Sequence, residues 1–176
     1  MTCSDGLKTI VLHVIQLYKL LTFPSVGHIR LNLSSHLHNN TITCKYKIHK
    51  VMKKKILIVD DKTEFRRLTK TILESKYEVQ SAENGVEALS ILQNGYNPDL
   101  IVSDLMMPVL GGKDFLDQVK SSGAFKHIPV IILSSIDKSD EKIKLIKMGA
   151  NDYIEKPYNP AELLARIENI FKSVAG

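Results

Sequence analysis

From Lys55 onward the chain alternates between short apolar runs and longer stretches whose apolar residues recur every three or four positions. Lys55-Ile56-Leu57-Ile58-Val59 is unbroken, rich in β-branched residues, and ends in Asp60-Asp61. A run without polar alternation predicts a strand covered on both faces, as in a parallel sheet. Phe65, Leu68, Thr69, Ile72 and Leu73 then mark a helical stripe, and Tyr77 to Ser81 reads as a second strand. Asn84-Gly85-Val86-Glu87 predicts a helix start, with a capping Asn and an acid three residues on. Val86, Leu89 and Leu92 give that helix its apolar face, and it stops near Gly95.

The same period continues. Asp99 to Asp104 is a third strand, and Phe115, Leu116 and Val119 line a third helix. Ile128 to Leu133 is a fourth strand. Ile143, Leu145, Ile146 and Met148 mark a fourth helix ending at Gly149. Asp152-Tyr153-Ile154 is a short fifth strand. Asn159-Pro160-Ala161-Glu162 opens the last helix, with a capping Asn and Pro at the first helical position, and Leu163, Leu164, Ile167, Ile170 and Phe171 supply its apolar face. Five strand–helix units predict an α/β protein with helices on both sides of a parallel sheet. The expected fold is a flavodoxin-like (βα)5 three-layer sandwich, strand order 2-1-3-4-5 counted from Lys55. No Gly-rich phosphate fingerprint follows the first strand, which argues against a dinucleotide domain or a P-loop.

Charge changes the picture only once it is divided. The 176 residues carry a net charge of +5. Residues 1–51 hold six basic residues against one acid, Asp5, whereas residues 52–176 hold eighteen of each. Both cysteines, Cys3 and Cys44, and five of the six histidines also precede Met52. The basic excess thus belongs to a leader, and the body gives no electrostatic case for nucleic-acid binding. Leu7 to Phe23 is apolar-rich at helical spacing, but Lys8, His13, Gln16 and Lys19 interrupt it and it is short for a membrane span. It also lacks the pattern of a signal peptide. Ile29-Leu31-Leu33 and Ile42-Cys44-Tyr46-Ile48 alternate like short strands around Asn39-Asn40. His36 and His38 could face one metal from a strand, yet no second pair stands at ligand spacing. Two readings of the leader compete. It is an amphipathic anchor or partner-binding appendage, or translation begins at Met52 and residues 1–51 are upstream sequence read in frame. The expected division is a leader, 1–51, and one domain, 52–176.

In the expected strand order the carboxyl ends of the first, third, fourth and fifth strands are neighbours. They carry Asp60-Asp61, Asp104, Ser134 and, just beyond, Lys156. Ligands in such sheets bind at that edge. Clustered carboxylates repel one another unless a cation joins them, and oxygen-only ligands suit Mg²⁺. A hydroxyl and an ammonium opposite suit the oxygens of a phosphoryl group, and one carboxylate can then act as nucleophile.

Asp60-Asp61, then Asp104-Leu105-Met106-Met107-Pro108 with Gly112, then Ser134, then Lys156-Pro157 resemble the receiver domain of two-component response regulators. The resemblance covers residues 53 to about 173 and rests on four motifs in order. It implies that Asp104 accepts a phosphoryl group from the phosphohistidine of a sensor histidine kinase. It implies that Asp61, Asp104 and the Met106 backbone carbonyl ligate Mg²⁺, with Asp60 acting through water. Ser134 and Lys156 would contact the phosphoryl oxygens, Ser134 and Tyr153 would form the switch, and Lys156-Pro157 would be a cis peptide. The side chains of Met106 and Ile136 occupy the two positions that flank the hydrolytic water in the family. Neither can orient water, so slow self-dephosphorylation is expected.

The reading is therefore a single-domain response regulator in the cytoplasm, not an enzyme, without its own output domain. It would signal to a downstream effector through the face built from the fourth helix, fifth strand and fifth helix. No nucleic-acid contact and no membrane span are expected, and a phosphorylation-dependent dimer is left open. Two alternatives stand beside it. An aspartyl-nucleophile phosphatase of the haloacid dehalogenase type needs Asp-x-Asp-x-Thr after the first strand, whereas this chain has Asp60-Asp61-Lys62-Thr63. A degenerate receiver acting as a constitutive interaction module would not need the full set of acids, Ser134 and Lys156.

Overall fold

The computed structural model describes the backbone of residues 29–38 and 41–50, and residues 53–135 and 139–174 with their side chains. The chain divides into two compact units, Met1–Met52 and Lys53–Gly176. In the first, β1 (Ile29–His38) and β2 (Thr41–Lys50) pair antiparallel with Ile29 opposite Lys50. The two alternating segments of the leader thus form a hairpin. The apolar stretch Leu7 to Phe23 and the side chains of His36 and His38 lie outside the described residues.

The second unit runs β3 (Lys55–Val59), α1 (Thr63–Glu74), β4 (Glu78–Ala82), α2 (Gly85–Gln93), β5 (Leu100–Asp104), α3 (Gly112–Ser121), β6 (Val130–Ser134), α4 (Ser139–Lys147), β7 (Asp152–Glu155) and α5 (Pro160–Val174). Its five strands are parallel in the order β4-β3-β5-β6-β7, the expected 2-1-3-4-5 of a flavodoxin-like fold. The unbroken apolar runs are explained by burial on both faces. Leu57 and Val59 face a core with Ala88, Leu92, Phe115, Leu116, Val119 and Leu145 from α2, α3 and α4. Ile56 and Ile58 face the opposite core with Leu73 of α1 and Leu163, Ile167 and Ile170 of α5. On that second face Tyr77 tilts against Phe171, 5.6 Å between ring centroids, and Lys76 pairs with Glu168 at 2.7 Å.

Two helix starts follow the expected chemistry. Asn84 Oδ1 accepts the Glu87 N–H at 3.0 Å, and Glu87 returns a carboxylate to the Glu83 N–H at 2.7 Å. Asn159 Oδ1 accepts the Ala161 N–H at 2.8 Å ahead of α5.

Several apolar faces depart from expectation. Leu68, Val86, Ile143 and Ile146 are exposed. On α1 the contact line runs through Thr69 and Leu73, so Leu68 is rotated away from it. On α2 the buried residues are Gly85, Ala88 and Leu92. That helix approaches so closely that a Cβ on Gly85 would lie 2.8 Å from Leu110 atoms. Small residues mark this contact, and apolar size pointed to Val86 instead. Strand bounds also shift. Tyr77 precedes β4 because its N–H still closes the end of α1 on the Leu73 carbonyl at 2.9 Å.

The loop from β5 to α3 holds one strained residue. Val109 has φ 68° and is 85% exposed, and the Leu110 N–H donates to the Pro108 carbonyl at 2.8 Å around it. A left-handed conformation costs an ordinary side chain roughly 1–2 kcal/mol, and Asn tolerates it better. Val109→Asn should therefore stabilise the fold by about 1 kcal/mol, read as a rise in the urea midpoint at unchanged slope. An unchanged or lower midpoint would show that this turn stores no relievable strain.

Candidate functional site

Parallel register brings the carboxyl ends of the strands level. Val59 is paired with Ser103 and Asp104 with Leu133, so the residue after β3 and the last residue of β5 stand side by side. Asp60 keeps the β3 ladder going by donating its N–H to the Ala82 carbonyl at 3.2 Å. Its Oδ1 accepts the Lys62 N–H at 2.9 Å, an Asx turn that bends the chain toward α1. Asp104 Oδ1 accepts the Leu105 N–H at 2.8 Å.

Lys156 enters from the far side of the sheet. Its N–H donates to the Ser134 carbonyl at 2.7 Å, one residue beyond β7, and its bond to Pro157 is cis as the resemblance implies. The ammonium lies 2.7 Å from Asp60 Oδ2 and 3.1 Å from Asp104 Oδ2, with all three side chains buried. The face of Phe65 closes another side, its centroid 4.7 Å from Nζ. Burial pushes the Asp104 carboxyl above its ordinary range; Lys156 partly offsets this and the charge of Asp60 adds to it. Burial also works against the Lys156 ammonium, but the hydrogen bond to Asp60 and the charges of Asp104 and Asp60 leave it raised overall.

Asp60, Asp61 and Asp104 each offer an oxygen within 4.8 Å of the others. Asp61 Oδ1 is buried and has no hydrogen-bond partner among the described atoms. Orphaned buried acceptors ask for an explanation such as an ion, and three hard oxygens suit Mg²⁺. The residues present therefore fit that metal, with the Asp61 and Asp104 carboxylates as the candidate direct ligands.

The remaining expected residues fall as follows. Ser134 ends β6 and is fully buried. Tyr153 is buried in β7, registered with Ile132, with the Lys142 ammonium 5.9 Å from its ring centroid. Tyr153 belongs to the core beneath α2, α3 and α4. Met106 is 63% exposed in the β5–α3 loop. Ile136 lies outside the described residues.

Three contacts escaped the sequence. The Thr69 and Tyr158 hydroxyls share a hydrogen bond at 2.6 Å, and Thr69 also donates to the Phe65 carbonyl at 2.8 Å, fixing the helix that carries the Phe65 ring. Burial raises the Tyr158 hydroxyl pKa, partly offset by that bond. Arg66 reaches back to the acidic turn. Only the recurrence of polar residues on the buried side of α1 could have signalled these, and the apolar stripe obscured it.

A five-stranded flavodoxin-like sheet with an acidic cluster and a buried lysine at its carboxyl edge belongs to the open α/β class whose ligands bind at that edge. Residues 56–168 match the model of the response regulator receiver domain. Among solved structures, the receiver domain of the Francisella response regulator 1452 is 36% identical with a TM-score of 0.64, over 68% of this chain and 98% of that one. The chemotaxis response regulator CheY4 of Vibrio cholerae is 32% identical with a TM-score of 0.63, over 68% and 99%. The probable transcriptional regulator ycf27 of Porphyridium aerugineum is 38% identical over 125 residues, 70% of this chain and 50% of that protein. The sensor histidine kinase TmoS of Ectopseudomonas mendocina is 37% identical over 69% of this chain and 12% of its own length. The chain thus spans half or less of these two curated relatives. It belongs to the response regulator receiver domain family, whose members are signalling proteins of two-component systems. Among the described residues no helix is long and apolar enough to cross a membrane.

Gly112 gives a direct check on the site's construction. A Cβ there would collide with the Asp104 carbonyl oxygen and fall 2.8 Å from Leu105 Cα. Both are backbone atoms of the strand end that bears the acid, so they cannot move aside as a side chain would. Gly112→Ala should cost about 3 kcal/mol or more, measured by urea unfolding. A loss under about 1 kcal/mol would mean that α3 can retreat freely from β5.

Proposed function

We propose that the chain is a phosphorylation-controlled signalling module, with Asp104 as phosphoacceptor and a histidine kinase's phosphohistidine as donor. The observation that carries this reading is the buried Lys156 ammonium held between Asp60 at 2.7 Å and Asp104 at 3.1 Å, beside the orphaned oxygen of Asp61. Such an arrangement has little use in a purely structural core, where unpaired buried carboxylate oxygens are costly.

In the transfer, a carboxylate oxygen of Asp104 forms a bond to phosphorus as the phosphorus–nitrogen bond of phosphohistidine breaks. The bonding pair stays on the imidazole nitrogen. Asp104 is presented by the end of β5 and oriented through the Leu105 N–H on Oδ1. Lys156 already stands on its Oδ2 side, where the ammonium can follow charge onto the phosphoryl oxygens. Ser134, next along the sheet edge, supplies a hydroxyl to the same group. Asp61, Asp104 and the Met106 carbonyl would hold Mg²⁺, with Asp60 contributing through water. When bound there, the ion would supply positive charge against the carboxylates and the incoming phosphoryl group.

Movement of Ser134 toward the phosphoryl group would open room for Tyr153. The output surface would then be α4, β7 and α5, and a downstream effector protein its reader. Exposed Ile143 and Ile146 on α4 give that face apolar area. This is a population shift, so the phosphoryl group must bind one state more tightly. The body carries these functions by itself in this reading, as a cytoplasmic signalling domain rather than an enzyme, and residues 1–51 are dispensable. The hairpin they contain forms a separate unit from the sheet.

Asp104→Asn should abolish Mg²⁺-dependent labelling by a small phosphodonor or a phosphorylated kinase, read as the mass of the intact protein. Undiminished labelling would move the acceptor elsewhere. Ser134→Ala should still be labelled yet bind an α4–β7–α5 partner poorly; unchanged binding would break the proposed switch. A chain starting at Met52 should give the same thermal transition as the full chain. A loss of several kcal/mol, large against ordinary domain stability, would mean that residues 1–51 support the sheet.

A further inference from the structure

Arg66 lies five residues after Asp61, in the first turn of α1, and its side chain is only 13% exposed. Its guanidinium does not point outward. Nη1 donates to the Asp60 carbonyl at 2.7 Å and to the Asp61 carbonyl at 3.3 Å. Nη2 donates to Glu83 Oε1 at 2.8 Å and to Thr63 Oγ1 at 3.4 Å. One planar group therefore ties three segments: the turn after β3, the start of α1 and the loop between β4 and α2.

Those two carbonyls are the last of the β3 strand end, with the chain already turning away from the sheet. They belong to the two peptides on either side of Asp61, one joining it to Asp60 and the other to Lys62. Gripping both from one side fixes both peptide planes. The direction of the Asp61 side chain follows from those planes, since Cα–Cβ is rigidly set by the backbone at that residue. Asp61 has no other tether on Oδ1. Asp60, by contrast, is held through both carboxylate oxygens, by the Lys62 N–H and the Lys156 ammonium. The fork also brings a positive charge to the outer side of a turn carrying adjacent carboxylates.

We propose that Arg66 is a positioning residue for the metal site: it holds the Asp60–Asp61 backbone so that the Asp61 carboxylate faces Asp104, with Glu83 anchoring its far end. This rests on the reading of Asp61 and Asp104 as Mg²⁺ ligands. Partners that orient metal ligands typically contribute 10- to 100-fold in affinity. A planar fork with donors on both arms does this, whereas an ammonium on the same stem reaches one acceptor group at a time.

The test is Mg²⁺ titration of the full chain, followed by amide chemical shifts well below the unfolding temperature, so that only folded protein is read. Arg66→Met keeps the apolar stem and removes every donor, and its Mg²⁺ dissociation constant should rise about tenfold. Arg66→Lys keeps charge and packing, should fold even if the Met variant does not, and should show an intermediate loss of about threefold. Glu83→Gln should weaken binding less than either. If either folded Arg66 variant binds Mg²⁺ within experimental error of the parent, Arg66 supports the fold but does not position the ligands, and the inference falls. If the parent binds no Mg²⁺ at millimolar concentration while Asp104 is still labelled, the metal reading fails first and takes this inference with it. A parent that binds and variants that bind more weakly, in the stated order, support both.

Discussion

One buried ammonium sets the terms for the carboxyl edge of this sheet. Lys156 sits between Asp60 and Asp104, and neither acid could be buried beside the other without it. The energetics of such a cluster are finely balanced. Burial raises the Asp104 carboxyl and works against the lysine's charge; Lys156 offsets this in part for Asp104, while Asp60 and Asp104 together more than offset it for Lys156. Much of the surrounding structure serves that balance. The amide link from Lys156 to Ser134, the face of Phe65 and the Thr69–Tyr158 pair that fixes the helix bearing it all limit where the lysine can be. The cluster also leaves one oxygen, on Asp61, outside its own accounting. A cation that joins Asp61 to Asp104 would complete a set of charges that the protein alone leaves incomplete.

The route from site to surface is short because the sheet is narrow. Ser134 is the last residue of β6, and its carbonyl takes the Lys156 amide. Tyr153 lies on β7 in register with Ile132, two residues back along β6. A shift at the end of β6 therefore has neighbours on both sides: the acidic cluster in one direction and the α4-side core in the other. Close packing makes such a core respond in discrete rearrangements rather than by gradual deformation. The exposed apolar residues of α4 stand on the outer side of the same layer.

Sequence alone carried the strand order and the four strand-end motifs, because parallel β/α folds write both in plain form. Runs such as Ile56 to Val59 need two apolar faces, and polar residues at strand ends have few other places to go. Helix faces were less legible. Leu68, Val86 and Ile143 look like core by size, yet α2 packs through Gly85, set against Leu110 of the β5–α3 loop, and through Ala88, where closeness matters more than bulk. The role of Arg66 was hidden for a different reason. Its partners are backbone carbonyls, which leave no trace in side-chain patterns. Thr69 was counted within an apolar stripe, whereas its hydroxyl is what links α1 to the segment after β7. The site's acids were thus readable one by one, but not the framework that aims them.

The two faces of the sheet are built from different parts of the chain. The face under α2, α3 and α4 draws on consecutive units from the middle. The other face joins α1, near the start of the domain, to α5, its last helix of 15 residues. During synthesis from the amino terminus, Ile56, Ile58 and Leu73 are made early, but Leu163, Ile167 and Ile170 are made last. The ribosome must release nearly the whole domain before that side can be covered. Until then an apolar sheet surface stays open, and such surfaces are where nascent chains associate wrongly or recruit chaperones. The long-range closure also places the slow part of folding at the end, since contacts of high sequence separation form late. The layer that holds Phe65 and Tyr158 around Lys156 is therefore the last to be assembled, and an incomplete chain presents its acids without the cation that neutralises them.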